Sequence, residues 1–160
     1  MIVLITVNAR RISNKHKVEQ LRNTIQDYNP DVILIQEISM TAIAQLEGKK
    51  YRAIFNKAED TLDEIGIITM VRNDYKVYDM ILDTEGRIVG VKLNDLQIWN
   101  IYAQSGSNKS DREVFFNEKL PQAMISWRNH TSKTILGGDI NCTGRLLDSE
   151  NNQYQHYQEG

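Results

Sequence analysis

Two short aliphatic runs, Ile2 to Val7 and Val32 to Ile35, stand on either side of a segment in which Val18, Leu21 and Ile25 recur at helical spacing. β-Branched residues crowd both runs, as buried strands favour, while apolar residues three and four apart make one stripe along a helix. Pro30 ends that helix, and Ser13 or Asn14 can cap its start. Strand, helix, strand is the unit from which a helix-covered sheet is built. Between the first strand and the helix, Asn8 to Asn14 is polar and basic and reads as a loop.

The remaining chain extends this pattern. A short helix is expected over Thr41 to Leu46, closed by Gly48, and strands over Tyr51 to Phe55 and Ile65 to Val71 flank the acidic loop Ala58 to Glu64. Val77 to Leu82 and Arg87 to Leu93 read as a hairpin about Asp83-Thr84-Glu85-Gly86, and Asn94-Asp95 turns the chain again into Leu96 to Ala103. After a loop over Ser105 to Ser110, Ser110 or Asp111 caps a helix whose apolar face is Val114, Phe115, Leu120, Met124, Ile125 and Trp127. Pro121 is expected to kink that helix or break it in two. A last strand, Thr134 to Leu136, leads into Gly137-Gly138-Asp139-Ile140-Asn141. The whole reads as α/β with a mixed sheet. Asp148 to Gly160 is nearly all polar, so the domain is placed over 1–147, with 148–160 a loop or tail at a truncated end.

Charge and cysteine content narrow the function classes. The formal net charge of −2 lacks the basic excess of a protein that holds nucleic acid through its phosphates. Arg10, Arg11, Lys15 and Lys17 make a local basic spot, of a size common on solvated surfaces. Cys142 is the one cysteine, so there is no internal disulfide and no Cys/His metal spacing, which fits a reducing intracellular compartment. No apolar run approaches the roughly 18 residues that cross a membrane. The apolar start lacks a basic leader and reads as a strand, not a signal peptide.

The polar residues at strand ends suggest chemistry. Asn8 follows the first strand, Gln36-Glu37 the second, and Asp139 with Asn141 the last. Ligands of sheet proteins often sit at strand ends. Glu37 and Asp139 with Asn8 and Asn141 would form an all-oxygen site, the preference of hard ions such as Mg²⁺ or Mn²⁺. Glycines before an acid allow close backbone approach or positive φ, though they serve equally in a plain turn. Tyr102 ends a strand and could offer its phenol to a phosphate, or sit half-buried at an interface like other tyrosines. His16, His130 and His156 stand in no telling context, and there is no Gly-x-Ser-x-Gly, P-loop or Rossmann fingerprint.

Taken in order, Thr6-Val7-Asn8, Asp31 to Glu37, Gly66-Ile67, Glu85-Gly86-Arg87, Asn100-Ile101-Tyr102-Ala103, Arg112 with Phe115-Phe116, and Gly137 to Asn141 resemble the exonuclease III/DNase I-like superfamily of endonucleases, exonucleases and phosphatases. Within it, Asn-Ile-Tyr-Ala and the stretch Cys142 to Ser149 look most like the endonuclease domain of non-LTR (LINE-type) retrotransposons. The resemblance implies a four-layered α/β sandwich, with the second sheet incomplete in this chain. It implies a Mg²⁺-dependent hydrolysis of DNA phosphodiester bonds, leaving a 3′-hydroxyl that primes reverse transcription, and a nuclear location if the chain derives from such an element. By resemblance, Glu37 is the principal metal ligand, with Asn8 beside it. Tyr102 contacts the scissile phosphate, Asp139 orients or deprotonates the attacking water, and Asn141 holds phosphate. Arg10 and Arg112 are the candidates for substrate contact.

The superfamily also carries a C-terminal Ser-Asp-His box, which this sequence does not contain. With the near-neutral charge, this leaves three readings. The chain is an endonuclease piece, completed by a longer protein, a homodimer or a second chain. It is a catalytically inactive remnant used for binding or assembly. Or it is a phosphoesterase acting on a small phosphorylated substrate.

Overall fold

A computed structural model describes residues 1–12, 14–46, 48–103, 109–128 and 133–141. Ser13, the loop residues 105–108, His130, the stretch from Cys142 to Ser149, His156 and the polar tail 148–160 lie outside the described residues.

Two four-stranded sheets face each other. In the first, β1 (Leu4–Ile12), β2 (Val32–Ser39), β3 (Tyr51–Lys57) and β4 (Ile65–Arg72) lie in the order β1-β2-β4-β3, with β1 and β2 parallel and the other pairs antiparallel. In the second, β5 (Val77–Leu82), β6 (Ile88–Leu93), β7 (Leu96–Tyr102) and β8 (Lys133–Asp139) lie in sequence order, antiparallel except for β7 and β8. Among the described residues β8 is an edge strand, and it leaves Leu136 exposed, with Ile140 exposed just beyond its end.

Alternation along the strands makes the layers. Ile33 and Ile35 of β2 face outward and pack with Val18, Leu21 and Ile25 of α1 (Lys15–Tyr28) and with Ala42, Ile43 and Leu46 of α2 (Met40–Leu46). Val32 and Leu34 face inward, against Val89, Val91, Leu96 and Ile98 of the second sheet. On the far side, Ile88, Trp99 and Ile101 pack against Phe115, Leu120 and Trp127 of a C-terminal helical segment. The result is helix, sheet, sheet, helix. Strands buried on both faces need continuous apolar runs, which explains Val-Ile-Leu-Ile in β2.

Asn14 caps α1, accepting from the His16 N–H at 2.8 Å, and Asn29 ends it in the left-handed conformation before Pro30. Two expectations are corrected, the loop after Asn8 and the end of the last strand. The segment after Asn8 is not a loop, because β1 runs on to Ile12 and regains its pairing with β2 there. Between the pairs Asn8–Gln36 and Ile12–Ile38, Ala9, Arg10 and Arg11 lie opposite Glu37 alone, a bulge that left-handed Arg10 and Arg11 make possible.

Of the kink or break expected at Pro121, the helix shows no break. α3 (Lys109–Val114) passes through a π turn (Phe115–Lys119) into α4 (Leu120–Met124) and a 3₁₀ turn (Ile125–Trp127). A π turn widens the backbone, which relieves the clash between a proline ring and the preceding turn. The last strand, expected to end at Leu136, runs on through Gly137 and Gly138 to Asp139. No helix among the described residues is long and apolar enough to cross a membrane.

Candidate functional site at the strand ends

Asn8, Glu37, Tyr102, Asp139 and Asn141 are joined by a continuous set of hydrogen bonds. Asn8 Nδ2 donates to Glu37 Oε1 at 3.0 Å and to Asp139 Oδ2 at 2.6 Å. The Tyr102 hydroxyl donates to the same Glu37 Oε1 at 3.0 Å. The Asn141 N–H donates to Asp139 Oδ1 at 3.0 Å, and Asn141 Nδ2 donates to the Ala103 carbonyl at 2.8 Å.

Each residue is aimed by a backbone feature. Glu37 sits where β2 is bulged toward both neighbours. Gln36 and Glu37 together oppose Ile67 of β4, and Glu37 itself takes φ of 53°. A bulge re-aims a side chain that regular alternation would send elsewhere. Asp139 reaches the site because β8 pairs with β7 in a register that sets Gly138 beside Ile101 and Asp139 beside Tyr102. Gly138 has φ of 128°, and a Cβ there would lie 2.0 Å from the Ile101 carbonyl oxygen, so only glycine permits this approach. Asn141, at φ of 45°, is of a type that tolerates the left-handed region.

Asn8 is oriented by the bulge that follows it. Its Oδ1 accepts from the Arg10 N–H at 2.8 Å, so it is the amide nitrogen that faces the carboxylates. As placed, Asn8 is a donor that bridges Glu37 and Asp139. Arg10 contributes its backbone N–H and keeps an exposed side chain, while Arg112 is half-buried on α3. The bonds described here run through neither guanidinium.

Among the described residues no group of three or more His, Cys, Asp and Glu side chains is placed to hold a metal ion. A hard divalent ion needs no such group, since Mg²⁺ is commonly held by one or two carboxylates with water and substrate oxygens completing its shell. Two carboxylates drawn to one amide nitrogen repel each other, and a cation between them offsets that repulsion. Glu37 Oε2 takes no part in the bonds above and is the atom open to such an ion. The donor set fits a hard cation.

A second feature lies directly beneath. Gln36 Nε2 donates to Asn100 Oδ1 at 2.8 Å, and Asn100 Nδ2 donates to the Ile68 carbonyl at 2.9 Å. Both side chains are fully buried between the sheets. Gln36 precedes Glu37 and Asn100 stands two before Tyr102, so this polar bridge ties together the strands that carry the two site residues. The sequence motifs contained both residues, but nothing local said that they meet.

No curated protein matches the sequence. Solved structures do match in fold. A humanized D. rerio TDP2 superposes with a TM-score of 0.68 at 18% identity, over 89% of this chain and 63% of that one. An AP endonuclease from Archaeoglobus fulgidus gives 0.68 at 15% identity, over 94% and 62%. The 3′ phosphatase NExo from Neisseria, bound to a product DNA hairpin, gives 0.67 at 15% identity, over 98% and 64%. The chain thus spans less than two thirds of the length of each. At these identities the likeness is one of fold, and it is the two-sheet sandwich of DNase I-like proteins. Residues 5–156 match the Endonuclease/Exonuclease/phosphatase family, and the chain belongs to that family.

Proposed function

We propose that this chain carries the metal- and phosphate-binding part of a Mg²⁺-dependent phosphodiesterase that nicks DNA. The observation that carries the reading is the hydrogen-bonded set at the strand ends, with two carboxylates sharing one donor beside a tyrosine hydroxyl and a carboxamide. Glu37 would hold the ion, which when bound neutralises charge building on the phosphoryl oxygens. The Tyr102 hydroxyl, already a donor to Glu37, can donate to a phosphate oxygen bound in its place. Asp139 is fixed through both oxygens, as an acid that positions water must be. Asn141 has its nitrogen committed to Ala103, which leaves Oδ1 for the substrate. Most of the rate enhancement in phosphoryl transfer comes from such positioning and electrostatics. The similar NExo structure, which holds a product DNA hairpin, supports DNA as substrate. The Asn-Ile-Tyr-Ala phrase and the Cys142 to Ser149 stretch favour a LINE-type element as the source.

The test is nicking of supercoiled plasmid with Mg²⁺. Glu37→Ala and Asp139→Asn are each expected to lower the rate by about 10²-fold or more, and EDTA to abolish it. Folded protein that leaves plasmid intact but cleaves a small phosphomonoester would replace DNA with a small phosphorylated substrate. Folded protein that cleaves neither would mean that this chain by itself is a catalytically incomplete piece, whose activity belongs to a longer protein or has been lost.

A further inference from the structure

The hairpin turn between β5 and β6 reaches across to the site in a way that neither its sequence nor the proposed chemistry assigns. Arg87 follows this turn and holds Tyr102 at three points. Its carbonyl accepts from the Tyr102 N–H at 2.9 Å, its Nη1 donates to the Tyr102 carbonyl at 3.1 Å, and its guanidinium carbon lies 5.2 Å from the centre of the Tyr102 ring. A cation at that distance over an aromatic face is attracted to it. The Tyr102 hydroxyl, at the far end of the same ring, is the group bonded to Glu37.

Arg87 is itself held. Asp83 Oδ1 accepts from the N–H groups of Arg87 and Ile88, both at 2.8 Å. The same oxygen accepts from Asn56 Nδ2 at 2.8 Å, and Asn56 is a buried residue of β3 in the other sheet. Gly86 is left-handed, and a Cβ on it would lie 2.3 Å from the Ala58 N, so the turn is seated against the first sheet. A line of contacts therefore runs from Asn56 through Asp83 and Arg87 to Tyr102 and on to Glu37.

We propose that Arg87 is a positioning residue, which holds the Tyr102 phenol on Glu37 and is itself fixed by Asp83 and Asn56. Its effect on turnover rests on the phosphodiesterase reading, but the contact can be tested without turnover. The protein is labelled with ¹³C at tyrosine Cζ, and the Tyr102 signal is identified by its loss in Tyr102→Phe. Glu37→Gln changes the hydrogen-bond partner of the phenol and so moves that signal. Arg87→Met is expected to remove this response, and Arg87→Lys to reduce it, because lysine keeps a cation but not the planar fork. The six other tyrosine signals report whether each variant is folded. If Arg87→Met does not fold, the reduced response in Arg87→Lys decides. A Tyr102 response to Glu37→Gln that is the same with and without Arg87 overturns the proposal.

In the nicking assay, Arg87→Met should lower kcat about tenfold with KM within about twofold, and Arg87→Lys should recover part of it. A loss confined to KM would overturn positioning in favour of direct substrate contact. Wild-type protein that shows the NMR coupling but never cleaves DNA would remove activity from this chain by itself and leave the positioning intact.

Discussion

Glu37 carries its carboxylate on a left-handed backbone. A β-carbon in that region meets the following carbonyl, at roughly 1–2 kcal/mol per residue. Strain of this kind persists where surrounding structure over-determines the conformation, and such places are commonly sites of function. The bulge and the hydrogen bonds from Asn8 and Tyr102 supply that structure here. A comparison of Glu37→Gly with Glu37→Ala isolates the strain, since both variants lose the carboxylate. Glu37→Gly should be the more stable by roughly 0.5–1 kcal/mol in denaturant titration, the reverse of their order in a regular strand. Equal stability, or a more stable alanine variant, would mean the left-handed conformation costs nothing. At this scale the motif shows which residue is acidic. It does not show that the acid is strained, or that Asn8 turns its nitrogen to the carboxylates, because both depend on bonds to partners distant in the chain.

Two irregular elements place the site, and neither follows from periodicity. The β1–β2 bulge brings Asn8 and Glu37 together, and the last strand carries its glycines through the ladder to deliver Asp139. Apolar periodicity marks the regular centres of these strands and goes silent where the residues turn polar. The expected strands therefore stop at Val7 and Leu136, while the observed ones continue to Ile12 and Asp139. Gly138→Ala tests the second element. The left-handed backbone alone would cost about 1–3 kcal/mol, and the approach to Ile101 adds to it. Thermal unfolding should show at least that loss, with nicking lost as Asp139 leaves the register of Tyr102. A variant as stable as wild type would mean that β8 has room to shift. The helix over Pro121 teaches the same lesson. Proline chemistry correctly flags a disturbance, but the form it takes, a π turn inside a continuing helix, is chosen by how Phe115, Leu120 and Trp127 pack on the second sheet.

Among the described residues the core between the sheets is mostly apolar, and the fully buried bridge from Gln36 to Asn100 is one of its few polar places, beside Thr69 and Asn56. A buried polar pair is costly to leave half-satisfied, typically by about 1–3 kcal/mol, yet replacing both partners can be nearly neutral. Gln36→Leu and Asn100→Leu should each destabilise the protein, and the double variant should cost less than their total by at least about 1 kcal/mol. Strict additivity in urea unfolding would show that the two sheets are not coupled through this pair. What the sequence alone determined is the local layer of the protein. It set the helix between Asn14 and Pro30, the aliphatic strands, the hairpin, the family, and the identities of the polar residues at strand ends, because periodicity, capping and motif order are properties of neighbouring residues. What only the tertiary structure decided is which of those polar groups meet and how. Asn8 and Asp139 lie 131 positions apart, and the register of β8, the bulge at Glu37 and the hold of Arg87 on Tyr102 arise from pairing and packing between segments that no local pattern connects.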